Sequence, residues 1–168
     1  MGKTQIVLDT SAVISLGCTG NLNLIMCIFD LHSPTRVKEE LEDISKTDDE
    51  IGKIAKDMLH NEYITFHSLP NNLKSAQGEV ESVNLANELK TEAIVMDDIK
   101  SMRKLEKKTK VPILFSSFII YSLSERKIIS QKEGLSALEK MKLKRQWKEN
   151  LIIEYGKQLF ENASIDNK

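Results

Sequence analysis

Three aspartates follow two short apolar segments of the chain. Asp9 comes directly after residues 5–8, and Asp97 and Asp98 follow residues 93–96. An unbroken apolar run without alternation is typical of a parallel strand that is covered on both faces. In an open parallel sheet, ligands bind beyond the carboxyl ends of the strands, where the strand order reverses. The sequence therefore predicts acids at that edge, with capping of the next helix as the alternative role for each one.

Glu79 lies on the apolar face of the helix predicted for residues 78–89. Steps of 100° per residue place Glu79 within an apolar arc of about 220°, which is formed by Val80, Val83, Leu85, Ala86 and Leu89. Glu81 and Glu88 lie opposite, where a solvated side chain is expected. A carboxylate on a buried face is costly unless a cation or hydrogen-bond donors neutralise it. Glu79 is therefore the strongest candidate ligand in the chain.

A fourth acid, Glu40, lies at the margin of the helix predicted for residues 34–45. It is roughly 70° from the centre of the apolar stripe on that helix, close enough to reach inwards. The alternative is a carboxylate at the rim of the core that pairs with a lysine. Glu39, Glu42 and Asp43 are expected to be solvated.

These acids predict a site for a divalent cation. Asp9, Glu40, Glu79 and one or both of Asp97 and Asp98 would repel one another at one sheet edge and raise each other's pKa. No lysine or arginine within these segments is placed to neutralise them. Because histidine and cysteine are absent from the cluster, the oxygen ligands favour Mg²⁺ or Mn²⁺ over Zn²⁺.

The elements that position these acids alternate between strand and helix, which predicts an α/β fold with a parallel sheet of about five strands. Weaker strands are predicted at residues 30–33, 63–67 and 111–114. Helices before them and between them are predicted at residues 11–16, 22–29, 34–45, 48–61, 78–89 and 99–109. No further strand is predicted after these elements, and the last three helices, at residues 118–125, 131–141 and 145–160, are interpreted as a C-terminal helical extension. We therefore divide the chain into a domain at residues 1–125 and a helical extension at residues 126–168 that packs on it.

Composition excludes several classes of protein. The 168 residues are 40% hydrophobic and include only 7 Gly and 3 Pro, unlike a disordered or collagenous chain. The two cysteines form no disulfide framework, and no apolar run approaches the roughly 20 residues of a membrane span. A glycine-rich phosphate loop is absent, which argues against a nucleotide-hydrolysing enzyme. We expect a cytoplasmic protein without a membrane segment.

Charge is divided unevenly along the chain. Residues 1–98 carry 17 acids and 8 bases, whereas residues 99–168 carry 8 acids and 16 bases. This asymmetry is compatible with a cation site and a surface for a polyanion, or with charge balance inside the molecule. Lys100, Arg103 and Lys104 lie on the basic face of the helix that begins at Asp98. They are candidate contacts to a nucleic-acid backbone, with an ordinary solvated face as the alternative.

Four segments in order resemble the PIN-domain family of metal-dependent ribonucleases, which includes the VapC toxins. Residues 7–14 resemble the opening strand with its Asp-Thr-Ser, and residues 37–41 are similar to the Val-x-x-Glu-Leu segment. Residues 78–81 and 95–98 resemble the Gly-Glu-x-Glu and Asp-Asp segments of one prokaryotic branch. The resemblance covers roughly residues 5–125 and implies a PIN-like three-layer fold.

The resemblance also implies a function and a site. Asp9, Glu40, Glu79 and Asp98 would be catalytic metal ligands, with Asp97 as a neighbour or alternate ligand. Ser11 would orient a ligand or water, and Ser116, with Ser117, stands where many relatives carry a further acid, so one or two Mg²⁺ or Mn²⁺ ions are both open.

The expected substrate is RNA, and a toxin role would add an antitoxin partner and a possible homodimer. The alternative function is a catalytically inactive PIN-like module that binds RNA or protein.

Overall fold

The computed structural model describes residues 2–166, with side chains described up to residue 163. Its centre is a five-stranded, all-parallel sheet with the strand order β3-β2-β1-β4-β5. The strands are β1 (Thr4–Leu8), β2 (Phe29–Pro34), β3 (Thr65–His67), β4 (Ala93–Val95) and β5 (Ile113–Leu114). The predicted α/β class and the five parallel strands are confirmed.

Nine α-helices are described around this sheet, with short 3₁₀ turns at Asn71–Leu73 and Glu106–Lys108. The first six are α1 (Thr10–Thr19), α2 (Leu22–Ile25), α3 (Thr35–Ile44), α4 (Glu50–His60), α5 (Gly78–Leu89) and α6 (Ile99–Leu105). The last three are α7 (Ser116–Glu125), α8 (Gln131–Lys144) and α9 (Leu151–Asp166). Among the described helices, none is long and apolar enough to cross a membrane.

The central strands are buried on both faces, as their unbroken apolar sequence predicts. In β1, Ile6 and Leu8 belong to one hydrophobic cluster, while Val7 between them belongs to a second cluster. In β4, Val95 and Ile94 are divided between the same two clusters. Because successive side chains of a strand point to opposite faces, the sheet separates two cores and the fold has three layers.

The strand order places the carboxyl ends of β1 and β4 side by side. β1 pairs with β2 on one side and with β4 on the other. The first three strands therefore extend the sheet to one side of β1, and the last two extend it to the other side. Leu8 lies opposite Val95, and the backbone N–H of Asp9 donates to the Val95 carbonyl at 3.2 Å. The acids that follow the two strands therefore meet at the switch point where open α/β sheets bind ligands.

The C-terminal helices share the larger core with α1. Leu138 and Met141 of α8 and Phe160 of α9 are buried in the same cluster as Ile14. The single helix predicted for residues 145–160 is wrong in its first turn, because α8 ends at Lys144 and Gln146 has a left-handed φ of 55°. The helix predicted for residues 22–29 is also too long, since Phe29 already begins β2.

Candidate active site

Four of the predicted acids line one pocket at the carboxyl edge of the sheet. The pocket has a volume of about 330 Å³. Its polar lining comes from five different helices or their caps, and comprises Asp9, Thr10, Ser11, Glu40, Glu79, Asp98 and Arg145. Ile14, Ile44 and Ile51 complete the wall. Acids that are distant in sequence are thus gathered around one small space.

Asp9 is the most deeply buried of these acids, with 3% of its surface exposed. It caps α1, because its carboxylate accepts from the backbone N–H of Ala12 at 2.8 Å. Ser11 Oγ lies 2.7 and 2.9 Å from the two carboxylate oxygens. Burial, with a smaller contribution from the charges of Asp97 and Glu79, raises the pKa of Asp9 to about 7 in spite of these hydrogen bonds. Capping and membership of the site, which the sequence offered as alternatives, are both properties of Asp9.

The neighbouring acids Asp97 and Asp98 have different surroundings. Asp97 is buried, does not line the pocket, and accepts from the backbone N–H and hydroxyl of Ser116 at 2.9 and 2.6 Å. Burial raises the pKa of Asp97 in spite of these bonds. Its own backbone N–H donates to Ser11 Oγ at 2.9 Å, which connects β4 to the Asp9 turn. Asp97 and Ser116 therefore join the ends of β4 and β5 to α1.

Asp98 lines the pocket and is linked to Glu79 through Ser101. Asp98 caps α6 by accepting from the Ser101 backbone N–H at 3.0 Å. Burial acts to raise the pKa of Asp98, but hydrogen bonds from Ser101 and Lys100 outweigh it and the pKa is lowered. Ser101 Oγ lies 3.0 Å from Asp98 Oδ2 and 3.2 Å from Glu79 Oε1. Since a hydroxyl has one proton, it donates to only one of these carboxylates at a time.

Glu40 is held at the rim of the pocket by three groups. Its carboxylate accepts from the Thr10 hydroxyl and from the backbone N–H of Gly78, the latter at 3.0 Å. Arg36 Nε lies 3.4 Å from Glu40 Oε1. The expectation that no basic residue within these segments neutralises the acids is therefore wrong for Glu40, because Arg36 is one turn earlier on α3. The alternative role predicted for Glu40, a rim carboxylate paired with a lysine, agrees with this arrangement except that the basic partner is an arginine.

Glu81 is buried, with 5% of its surface exposed, and its predicted solvent position is wrong. The segment before α5 folds over the face of the helix that the helical wheel assigns to solvent. The backbone N–H of Ser75 donates to Glu81 Oε1 at 2.8 Å, and Asn84 Nδ2 donates to the Leu73 carbonyl at 2.8 Å. Glu81 therefore fixes this segment and does not line the pocket with Glu79.

A comparison with family models finds a match to the model DUF3368, described as a PIN domain, over residues 5–161. The chain belongs to the PIN-domain family. Among curated proteins, no relative matches it. PIN domains are generally nucleases and typically use divalent metal ions. The family match includes α8 and most of α9, so it extends past the segments on which the sequence resemblance rests.

The four pocket acids have the chemistry that a PIN-domain metal site needs, but their carboxylates are far apart from one another. All four acids are carboxylates, the oxygen ligands that hard divalent ions prefer. Within the described residues, no three His, Cys, Asp or Glu side chains lie close enough together to hold one ion. The carboxylates surround the PIN-domain pocket without converging on one point in it.

Three polar residues at this PIN-domain pocket are missing from the sequence-based site. Thr10 and Arg145 line the pocket, and Ser101 contacts two of the carboxylates that do. Ser101 could have been found from the sequence, because it lies three residues after the capping acid Asp98, a spacing that allows a local contact between them. Arg145 has no comparable signal, since it reaches the pocket only because α8 packs on α1.

The predicted RNA contacts lie outside the pocket. Lys100, Arg103 and Lys104 are exposed on α6, which starts at the Asp98 cap. Arg103 lines a separate groove of about 500 Å³ between α6 and α9, together with Phe115, Leu151 and Tyr155. Their role in binding RNA stays a prediction.

Proposed function

We propose that this PIN domain is a metal-dependent endoribonuclease that hydrolyses phosphodiester bonds of RNA. The observation that supports this best is the pocket at the switch point, which four carboxylates from four separate parts of the chain line together. One of them, Asp9, is buried with a pKa near neutrality, which is the kind of perturbation that active sites favour.

Mg²⁺ or Mn²⁺ would be held by Asp9, Glu79 and Asp98, with Glu40 at the rim. Such an ion supplies a coordinated water of lowered pKa and neutralises charge on the phosphate and the leaving oxygen. Because the carboxylates do not converge in the described arrangement, binding requires side-chain rotation. The link from Ser101 to both Glu79 and Asp98 leaves room for such rotation, since the serine can keep one partner while it releases the other.

The other polar groups hold the carboxylates in place. Ser11 donates to Asp9 and accepts from the backbone of Asp97, so it fixes the ends of β1 and β4 relative to each other. Thr10 and Gly78 orient the Glu40 carboxylate from two different helices. Such support reduces the reorganisation that charged groups need during a reaction. Hydrolysis of this kind would leave a 5′-phosphate and a 3′-hydroxyl.

The test is cleavage of single-stranded RNA with and without Mn²⁺ or Mg²⁺. We expect wild type to cleave only with the ion and Asp9→Asn to lose the activity. Asp49→Asn is the matched control, because Asp49 also caps a helix, accepting from Gly52 N–H at 2.8 Å, but is exposed outside the pocket. Equal cleavage by wild type and Asp9→Asn would refute the proposal.

Metal binding has a readout of its own. Mn²⁺ should raise the melting temperature of wild type, because a ligand that binds only the folded state stabilises it. Glu79→Gln should lose most of this response, whereas Glu88→Gln, on the exposed side of the same helix, should keep it. A Glu79→Gln variant that responds like wild type would remove Glu79 from the proposed ligand set.

A second candidate is a non-catalytic PIN-like module that binds RNA or a protein. The separation of the carboxylates favours it, because no three of them come together in the described residues. In that case, RNA would bind without metal-dependent turnover, and Mn²⁺ would leave the melting temperature unchanged.

The physiological role that we propose is that of a toxin of the VapBC type, acting on cytoplasmic RNA, with an antitoxin partner and a possible homodimer. The resemblance of the four sequence segments supports this role. Induced expression should then arrest bacterial growth, and Asp9→Asn should relieve the arrest. Growth arrest that persists in Asp9→Asn would argue against a nuclease toxin.

A further inference from the structure

Arg145 is the one basic side chain that lines the carboxylate pocket within the described residues. It follows α8 and belongs to the C-terminal helices, whereas the acids come from the first hundred residues. Its Nε is buried without a hydrogen-bond partner, and none of the ion pairs among the described residues involves it. A buried donor without a partner costs free energy, so its retention beside a pocket calls for a ligand.

The backbone around Arg145 is fixed by a helix-ending turn. The Arg145 N–H donates to the Met141 carbonyl at 3.0 Å, and Gln146 takes a left-handed φ of 55°. The Trp147 N–H then donates back to the Lys142 carbonyl at 3.0 Å, which is typical of a Schellman C-cap. This turn brings the Trp147 ring under the guanidinium, with the Arg145 Cζ 5.0 Å from the ring centroid. The cation–π contact holds the guanidinium plane without occupying its N–H groups.

The electrostatic position of Arg145 also points to an anion. Four carboxylates around the pocket repel a phosphate, and a divalent ion offsets only part of that charge. A guanidinium has five N–H donors in a planar fork that matches two phosphate oxygens.

We propose that Arg145 binds the phosphate of the RNA substrate at the carboxylate pocket, so that the C-terminal helices complete the active site. This inference rests on the proposed ribonuclease function. Trp147 acts as a positioning residue, because it touches the guanidinium and not the substrate. The C-terminal segment thereby contributes a charge that none of the acidic segments carries into this pocket.

The experiment compares Arg145→Met, Arg145→Lys and the control Lys148→Met, which removes an exposed positive charge three residues away. We expect Arg145→Met to lower kcat/KM for RNA cleavage about 10²- to 10³-fold, as for loss of one preorganised donor at a transition state. Arg145→Lys should retain part of the activity, because it keeps the charge without the fork. For Lys148→Met, kcat/KM should stay within about twofold of wild type, because a single exposed charge away from the pocket contributes little.

Two further measurements separate phosphate binding from a structural role. RNA binding, measured by anisotropy with a short labelled single strand, should weaken at least tenfold in Arg145→Met. The Mn²⁺-induced rise in melting temperature should persist, since Arg145 is not a metal ligand. Trp147→Leu should raise KM for RNA, as Arg145→Lys should, because loss of the ring frees the guanidinium to move.

The outcomes distinguish the two proposals. If wild type cleaves RNA and Arg145→Met cleaves and binds it as well as Lys148→Met does, the role of Arg145 is refuted and the ribonuclease function stands. Unfolding of Arg145→Met together with full activity of Arg145→Lys and Trp147→Leu would assign Arg145 a structural role and also overturn the inference. If wild type neither cleaves nor binds RNA, both proposals fail together.

Discussion

Replacing Asp9 by asparagine tests the electrostatics of the pocket without relying on catalysis. Burial raises the pKa of Asp9 from an ordinary value of 3.8 to about 7 in the folded protein. In the pH range between these values, the folded state holds a proton that the unfolded state releases, so stability falls as the pH rises from 4 to 7. Above pH 7 the carboxylate is charged in both states and the full penalty applies.

The size of this penalty follows from the pKa difference of about three units. At roughly 1.4 kcal/mol per unit, the ionised Asp9 lowers the free energy of unfolding by up to about 4 kcal/mol at pH 8. Asparagine carries no charge and can still accept from the Ala12 N–H that caps α1. Without added metal, Asp9→Asn should therefore be more stable than wild type at pH 8 and nearly equal to it at pH 4.

The assay is thermal and urea unfolding at several pH values in the presence of a chelator. For a chain of this size, 1 kcal/mol corresponds to roughly 2–4 °C, so a gain of several degrees is expected at pH 8. Asp49→Asn, at an exposed cap, should be no more stable than wild type at either pH. An Asp9→Asn variant that is less stable than wild type at pH 8 would show that a cation within the protein already stabilises Asp9, and would refute the reasoning.

Three further predictions concern residues around the pocket. Gly78→Ala would place a Cβ 2.6 Å from Glu40 Oε2, so the Glu40 carboxylate must move. RNA cleavage should therefore fall more than tenfold. The melting temperature should change little, because only the end of a side chain is displaced. Ser116→Ala removes the hydroxyl that donates to buried Asp97 but keeps the backbone N–H that donates to the same carboxylate. It should cost on the order of 1–3 kcal/mol in urea unfolding, and no loss would show that the hydroxyl does not support Asp97. If α6 contacts the RNA backbone, Lys100→Met should reduce the slope of log affinity against log salt by about one, and an unchanged slope would remove that helix from the interface.

The sheet could be predicted because its central strands are buried on both faces. Residues 5–8 and 93–96 carry no alternation, and each is followed by an acid, so both the parallel sheet and its functional edge follow from the sequence. Pairing β1 with β4 could not be read from the same pattern, because any two such strands satisfy it. The ends of helices were less certain, since the left-handed Gln146 that ends α8 leaves no clear mark in the sequence.

Helical periodicity assigned Glu81 to the wrong face of α5, whereas Glu79 lies half-buried at the pocket. A helical wheel separates a core face from a face that it assumes to be solvent, and it takes no account of other parts of the chain. Here the segment before α5 covers the second face, and the Ser75 N–H meets Glu81 there. A buried glutamate on an apparently polar face is therefore invisible to periodicity whenever a loop returns over its own helix.

Adjacent acids illustrate the same limit at a smaller scale. Asp97 and Asp98 are chemically identical, and both follow β4, so the sequence offers no ground for separating their roles. Their difference arises because β5 and α7 bring Ser116 to one of them, while the start of α6 turns the other towards Glu79. The choice between a supporting acid and a pocket acid is thus made by the strand next to β4. Any estimate of which carboxylate meets a metal must therefore begin from the sheet order and not from the Asp-Asp motif alone.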